Sequence, residues 1–133
     1  MTSKVIYLGD LRTSSIHLQS GTEIVSDAPL DNNGKGEAFS PTDTVANALA
    51  ICMMTVMGIK ARDMNVDFKG STAGVTKIMN AEPRRIGAIE VVFEMQGVAD
   101  EKNRVILERT AMTCPVFLSL STEIEKRITF NWK

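Results

Sequence analysis

Hydrophobic and polar positions divide the chain into two periodic regimes, with the change near residue 40. Val5-Ile6-Tyr7-Leu8 is rich in β-formers and stops at Gly9-Asp10. Ile16 and Leu18 then alternate with Ser15, His17 and Gln19, and Ser20-Gly21 supplies a turn before Thr22-Glu23-Ile24-Val25. This pattern predicts a hairpin. Asp31-Asn32-Asn33-Gly34-Lys35-Gly36 holds turn residues without apolar periodicity and predicts a loop. Ser40-Pro41-Thr42-Asp43 then reads as an acidic capping box, with Ser at the N-cap, Pro at N1 and a carboxylate at N3. From Val45 to Met57 apolar residues surround most of the predicted helix, leaving a thin polar line through Thr44, Asn47, Thr55 and Gly58. Such a helix must be covered on several sides, so a subunit interface is expected.

The second half returns to alternation. Val66-Asp67-Phe68 predicts the start of a strand running toward Ile78, and Ala81-Glu82-Pro83-Arg84 a turn. Ile89, Val91, Phe93 and Met95 alternate with Glu90, Val92, Glu94 and Gln96, which predicts a half-buried strand. Asp100 is placed to cap a helix through Val105, Ile106, Arg109 and Met112, and Cys114-Pro115 to begin another. Ile124, Ile128, Phe130 and Trp132 share one face of a terminal strand with Lys126. The expectation is one α+β domain over residues 1–133 with mostly antiparallel strands.

Composition narrows the function classes. The 133 residues are 44% hydrophobic and 23% charged, an ordinary globular balance. Fifteen basic and sixteen acidic residues leave a net charge of -1, which gives no electrostatic footprint for nucleic acid. The apolar run from Val45 to Ile59 is shorter than the ~20 residues of a membrane span, and it reads as a buried helix. No signal-peptide pattern opens the chain, and two cysteines make no disulfide scaffold. A cytoplasmic protein with reduced thiols is expected, with no membrane partner.

Candidate chemistry centres on Cys52 and Cys114. Buried free cysteines are commonly inert packing residues; the sharper reading is a redox pair assembled by the fold. Cys52 sits mid-helix among apolar neighbours, where desolvation opposes its thiolate unless a cation is close. Cys114, at a predicted helix start, is by local physics the more reactive thiol. The pattern does not choose among the chain's seven arginines as a partner for Cys52. His17, the only histidine, falls opposite Ile16 and Leu18 and predicts an exposed position. No zinc-ligand set, Walker motif or dinucleotide fingerprint is present. Asp43 is a candidate carboxylate already explained by its capping position.

Gly36-Glu37-Ala38-Phe39-Ser40-Pro41, the long apolar helix with Ala50-Ile51-Cys52, and the late Cys114-Pro115-Val116 together resemble the OsmC/Ohr family. The helical cysteine followed much later by Cys-Pro-Val is the most specific element. The resemblance implies an OsmC-like fold, with antiparallel sheets around a long buried central helix in an intertwined homodimer. It also implies reduction of organic hydroperoxides or hydrogen peroxide by a cysteine pair, with Cys52 peroxidatic and Cys114 resolving. An external dithiol would serve as reductant, and no cofactor or metal is needed. In such enzymes an N-terminal arginine supports the thiolate, a role that falls to Arg12 here. A glutamate directly after the helix-start proline orients that arginine. This chain has Thr42 there, with Asp43 one residue later as a possible supporting carboxylate. The arginine is therefore expected to be less firmly held. Thr42 also keeps open an alternative, a non-enzymatic ligand-binding or stress-associated dimer of the same fold.

Overall fold

The computed structural model describes residues 1–133 and resolves them into two compact units, Met1–Val45 and Ala46–Lys133. The architecture is mixed α+β, with two three-stranded sheets.

In the first unit, β1 (Ser3–Gly9), β2 (Arg12–His17) and β3 (Glu23–Asp27) form an antiparallel meander in sequence order. The predicted hairpin is β2–β3, closed through Ser20-Gly21. The pattern did not mark a second hairpin, β1–β2, whose turn residues Asp10 and Leu11 both take left-handed backbone angles (φ 52° and 63°). Two positive φ values in a two-residue loop match the right-handed twist of the flanking strands, a role usually given to Asn-Gly or Asp-Gly. The loop after β3 begins with a 3-10 turn, Leu30–Asn32.

Helix α1 (Pro41–Asp63) starts at the predicted cap. The Asp43 N–H donates to Ser40 Oγ at 3.0 Å, and the Ser40 N–H donates back to Asp43 Oδ2 at 3.0 Å. Two otherwise orphaned donors are thus satisfied reciprocally. No hydrophobic residue of the first unit is buried; its buried residues are Ser14, Asp27 and Ser40.

The apolar core belongs to the second unit. Strands β4 (Thr72–Asn80), β5 (Arg85–Met95) and β6 (Glu125–Trp132) form a sheet with β5 in the centre. β5 runs antiparallel to β4 and parallel to β6. The parallel pairing needs a crossover, which α2 (Glu101–Ala111) and α3 (Pro115–Ser119) occupy in the chain. Asp100 caps α2 by accepting the Lys102 N–H at 3.1 Å, as its position predicts. Ile89, Val91, Phe93 and Met95 are fully buried, and Phe93 stacks on Phe130 with ring centroids 4.9 Å apart. From α1, Leu49, Met53 and Met57 enter the same core.

Two local expectations are corrected. Val66–Phe68 is not strand: Asp67 Oδ1 accepts the Lys69 N–H at 2.8 Å, and the Ser71 N–H bonds to Phe68 O at 3.0 Å. A turn through Gly70 (φ +90°) precedes the ladder, which begins at Thr72. The polar line expected on α1 is kept only in part, with Thr44 and Thr55 exposed. Asn47 and Gly58 are half-buried, whereas Ile51 and Ile59 are each 57% exposed. The ring of Phe68 lies beside Gly58, at ordinary contact distance from where a Cβ would sit, so that side of the helix is covered.

Candidate active site

Cys52 lies on α1, half-buried, and packs against the core. Cys114 is the N-cap of α3, and its side chain is wholly buried. Its Sγ accepts the Phe117 N–H at 3.2 Å. Both cysteines border the same apolar core, but they do not lie at disulfide distance. Both are free thiols, and no disulfide joins them.

The surroundings of Cys114 work against the thiolate that its helix-start position favours. Burial pushes the Cys114 thiol up from its ordinary value, and the neighbouring Cys52 side chain pushes the same way. The Phe117 N–H opposes them without prevailing. Helix-end donors favour a thiolate, but loss of hydration outweighs two or three N–H groups of a one-turn helix. Cys114 is held as a neutral thiol out of solvent, and Cys52 is the accessible member of the pair.

Arg12, expected to be loosely held, is instead clamped. It stands directly opposite Asp27 in the β2–β3 register. Its Nε donates to Asp27 Oδ1 at 2.7 Å and its Nη2 to Asp27 Oδ2 at 2.9 Å, a two-pronged charge-assisted pair. The same Nη2 donates to Glu37 Oε2 at 2.9 Å, and the Glu37 N–H reaches Asp27 Oδ2 at 3.1 Å. The guanidinium holds the Asp27 carboxyl below the usual carboxylate range, and Asp27 in turn raises the arginine. Neither carboxylate was singled out by pattern. Asp27 ends a β-rich stretch and Glu37 lies in a loop, and only the strand register reveals their convergence on Arg12.

The remaining candidates fall where their local physics puts them. Asp43 serves the α1 cap described above. His17 is exposed, its Nδ1 2.6 Å from Ser20 Oγ across the hairpin turn. The first unit also contains a cavity of about 370 Å³ whose walls include Tyr7, Leu11, Pro29, Pro41 and Thr42.

The model of the family described as OsmC-like protein matches residues 34–129, which include both cysteines. The chain belongs to the OsmC family. A solved structure from Psychrobacter arcticus 273-4, described provisionally as an osmotic stress induced and detoxification response protein, is similar at 53% identity. The match covers 98% of this chain and 96% of that one, with a TM-score of 0.95. The OsmC fold extends to an organic hydroperoxide resistance protein OsmC from Legionella pneumophila, at 12% identity and a TM-score of 0.72, covering 98% and 97% of the two chains. OhrB of Bacillus subtilis, an organic hydroperoxide resistance protein, matches at 15% identity and a TM-score of 0.67, covering 98% of each chain. Among proteins with curated functions, none matches this sequence significantly. Arg12 and Asp27 precede the matched family segment, so their pairing is known here from this structure alone.

Proposed function

We propose that this OsmC-family chain is a thiol peroxidase acting on organic hydroperoxides or hydrogen peroxide. The observation that supports the proposal is that a half-buried Cys52 and a buried Cys114 border the same core in a chain of the OsmC family. The Cys52 thiolate attacks the distal peroxide oxygen; the O–O bond breaks and the leaving alkoxide or hydroxide takes a proton to give alcohol or water. Cys52 becomes a sulfenic acid. A local rearrangement then closes the gap between the two cysteines, and Cys114 sulfur attacks the Cys52 sulfur, forming the disulfide and releasing water. An external dithiol reduces that disulfide by exchange, and its own two thiols are oxidised. The supporting role of an N-terminal arginine that the family resemblance implies is proposed for Arg12, whose fork Asp27 and Glu37 hold.

A homodimer is part of this proposal. Val5, Tyr7 and Ile24 share one face of the first sheet through the pairings Val5↔Ser15, Ser15↔Ile24 and Tyr7↔Thr13. All three are more than half exposed, and a three-stranded sheet without a buried apolar residue needs a cover. A second copy supplies it.

Thr42 in place of a glutamate, together with the largely apolar cavity beside it, favours a second reading, in which the dimer binds an apolar ligand without turnover. Steady-state consumption of tert-butyl hydroperoxide with dithiothreitol separates the two. The peroxidase turns over and Cys52→Ser abolishes turnover; a binding protein consumes no peroxide beyond the uncatalysed rate.

A further inference from the structure

Lys126 is the exception on the core-facing side of β6, which it shares with Ile128, Phe130 and Trp132. Register places it opposite Ile89, a fully buried residue of the central strand. A lysine at such a position usually extends its ammonium to water. Here Nζ instead donates to Ser121 O at 3.0 Å and stands 5.3 Å from the centroid of the Phe117 ring. Both partners belong to one short segment: Phe117 is in α3, and Ser121 follows its C-cap, Leu120. The same segment carries Cys114, whose Sγ accepts the Phe117 N–H at 3.2 Å. Lys126 therefore reaches the thiol through Phe117.

The two cysteines do not lie at disulfide distance, so one must move before they join. Cys52 sits on a 23-residue helix, next to the fully buried Met53 and flanked by the fully buried Leu49 and Met57. Shifting it would disturb a close-packed core. α3 has five residues and none is buried, although Val116 and Phe117 pack half-buried on the core. Leu118 is 71% exposed. Segments with few buried contacts open at the least cost in free energy, so α3 gives way first. Turning Cys114 Sγ from the Phe117 N–H toward Cys52 removes the N-cap bond of α3. Lys126 ties the other end of that segment to the sheet.

We propose that α3 is the element that carries Cys114 to Cys52, and that Lys126 is the positioning residue that holds it in the separated resting place. This rests on the peroxidase reading. In the joining step the Cys114 thiol gives up its proton and its sulfur attacks the sulfenic sulfur of Cys52. The S–S bond forms, the S–OH bond breaks, and the hydroxide leaves as water with that proton.

The experiment compares the full chain with Lys126→Met, which keeps the stem and removes the cation, and Lys126→Arg, which keeps the cation. In the reduced protein without peroxide, hydrogen exchange is read on peptides covering residues 114–120. A cation–π contact and a hydrogen bond are each worth a factor of a few, so Lys126→Met should speed exchange there about 10-fold. Lys126→Arg should retain most of the protection, and exchange in β5 should stay the same in both. After one equivalent of tert-butyl hydroperoxide, the rate of Cys52–Cys114 disulfide formation is divided by the rate of Cys52 sulfenic acid formation in the same variant. That ratio should also rise about 10-fold in Lys126→Met and return toward wild type in Lys126→Arg, because both measurements read the same opening. Unchanged exchange over 114–120 overturns the tether and leaves the peroxidase reading standing. Faster exchange with an unchanged or lowered ratio overturns the role of α3 in joining the cysteines. If Lys126→Met also loosens β5, Phe117→Leu decides: it removes the ring, keeps the N–H donor, and should raise the ratio, and an unchanged ratio overturns the proposal. If peroxide leaves both thiols of the wild type free, the proposal and the peroxidase reading fall together.

Discussion

Phe117 donates its backbone N–H to Cys114 Sγ at 3.2 Å, yet the thiol that receives it is wholly shielded from solvent. A capping contact and a desolvated environment therefore act on one sulfur in opposite directions, and the desolvation is the larger. Cys52, half-buried on the long helix, has no such enclosure.

One consequence is selective modification. A brief iodoacetamide pulse on the folded, reduced protein at neutral pH should label Cys52 well before Cys114, as read by peptide mass spectrometry. Preferential labelling of Cys114 would mean that the helix-end donors dominate after all.

The same burial predicts a stability slope in alkali. A thiol whose folded value lies above its unfolded value stabilises the fold fully below the ordinary thiol range. That contribution is lost as pH rises through the folded value. Urea unfolding between pH 7 and 10 should show a steeper loss for the wild type than for Cys114→Ala. Equal slopes would remove Cys114 as the titrating group.

Asp27 predicts the opposite limb. Its folded value lies below the unfolded one, chiefly through the Arg12 hydrogen bonds. Its contribution is present above the ordinary carboxylate range, near ~3.9, and fades as pH falls below it. The stability gap between wild type and Asp27→Asn should accordingly be widest near neutrality and narrow in acid. A gap that widens in acid would contradict the pairing.

The exposed face of the first sheet predicts self-association. Sedimentation at low micromolar concentration should show a dimer, and Tyr7→Glu or Ile24→Glu should shift it toward monomer. A wild-type monomer would leave Val5, Tyr7 and Ile24 without their proposed cover.

Legibility in the sequence followed the reach of each interaction. The α1 cap was readable because Ser40 and Asp43 are three residues apart and bond each other. The Asp100 cap, the β5 alternation and the Cys114-Pro115 helix start were readable for the same local reason. The β1–β2 hairpin was missed because Leu11 is a poor residue for a left-handed turn position and carries no turn signature. The Arg12 clamp was missed because its partners, Asp27 and Glu37, are set by strand register and loop course. The surroundings of Cys114 were hidden similarly: an N-cap position is visible in sequence, whereas the side chains that exclude water from Cys114 are not.

The central claim is that Cys52 and Cys114 form one redox couple driven by peroxide. Intact-mass spectrometry after one equivalent of hydroperoxide should show loss of two hydrogens, with the linkage mapping to Cys52–Cys114 after digestion. In Cys114→Ser, the same treatment should leave a sulfenic acid on Cys52 or its over-oxidised products. Persistence of both free thiols under peroxide, or oxidation of Cys114 with Cys52 untouched, would contradict the account.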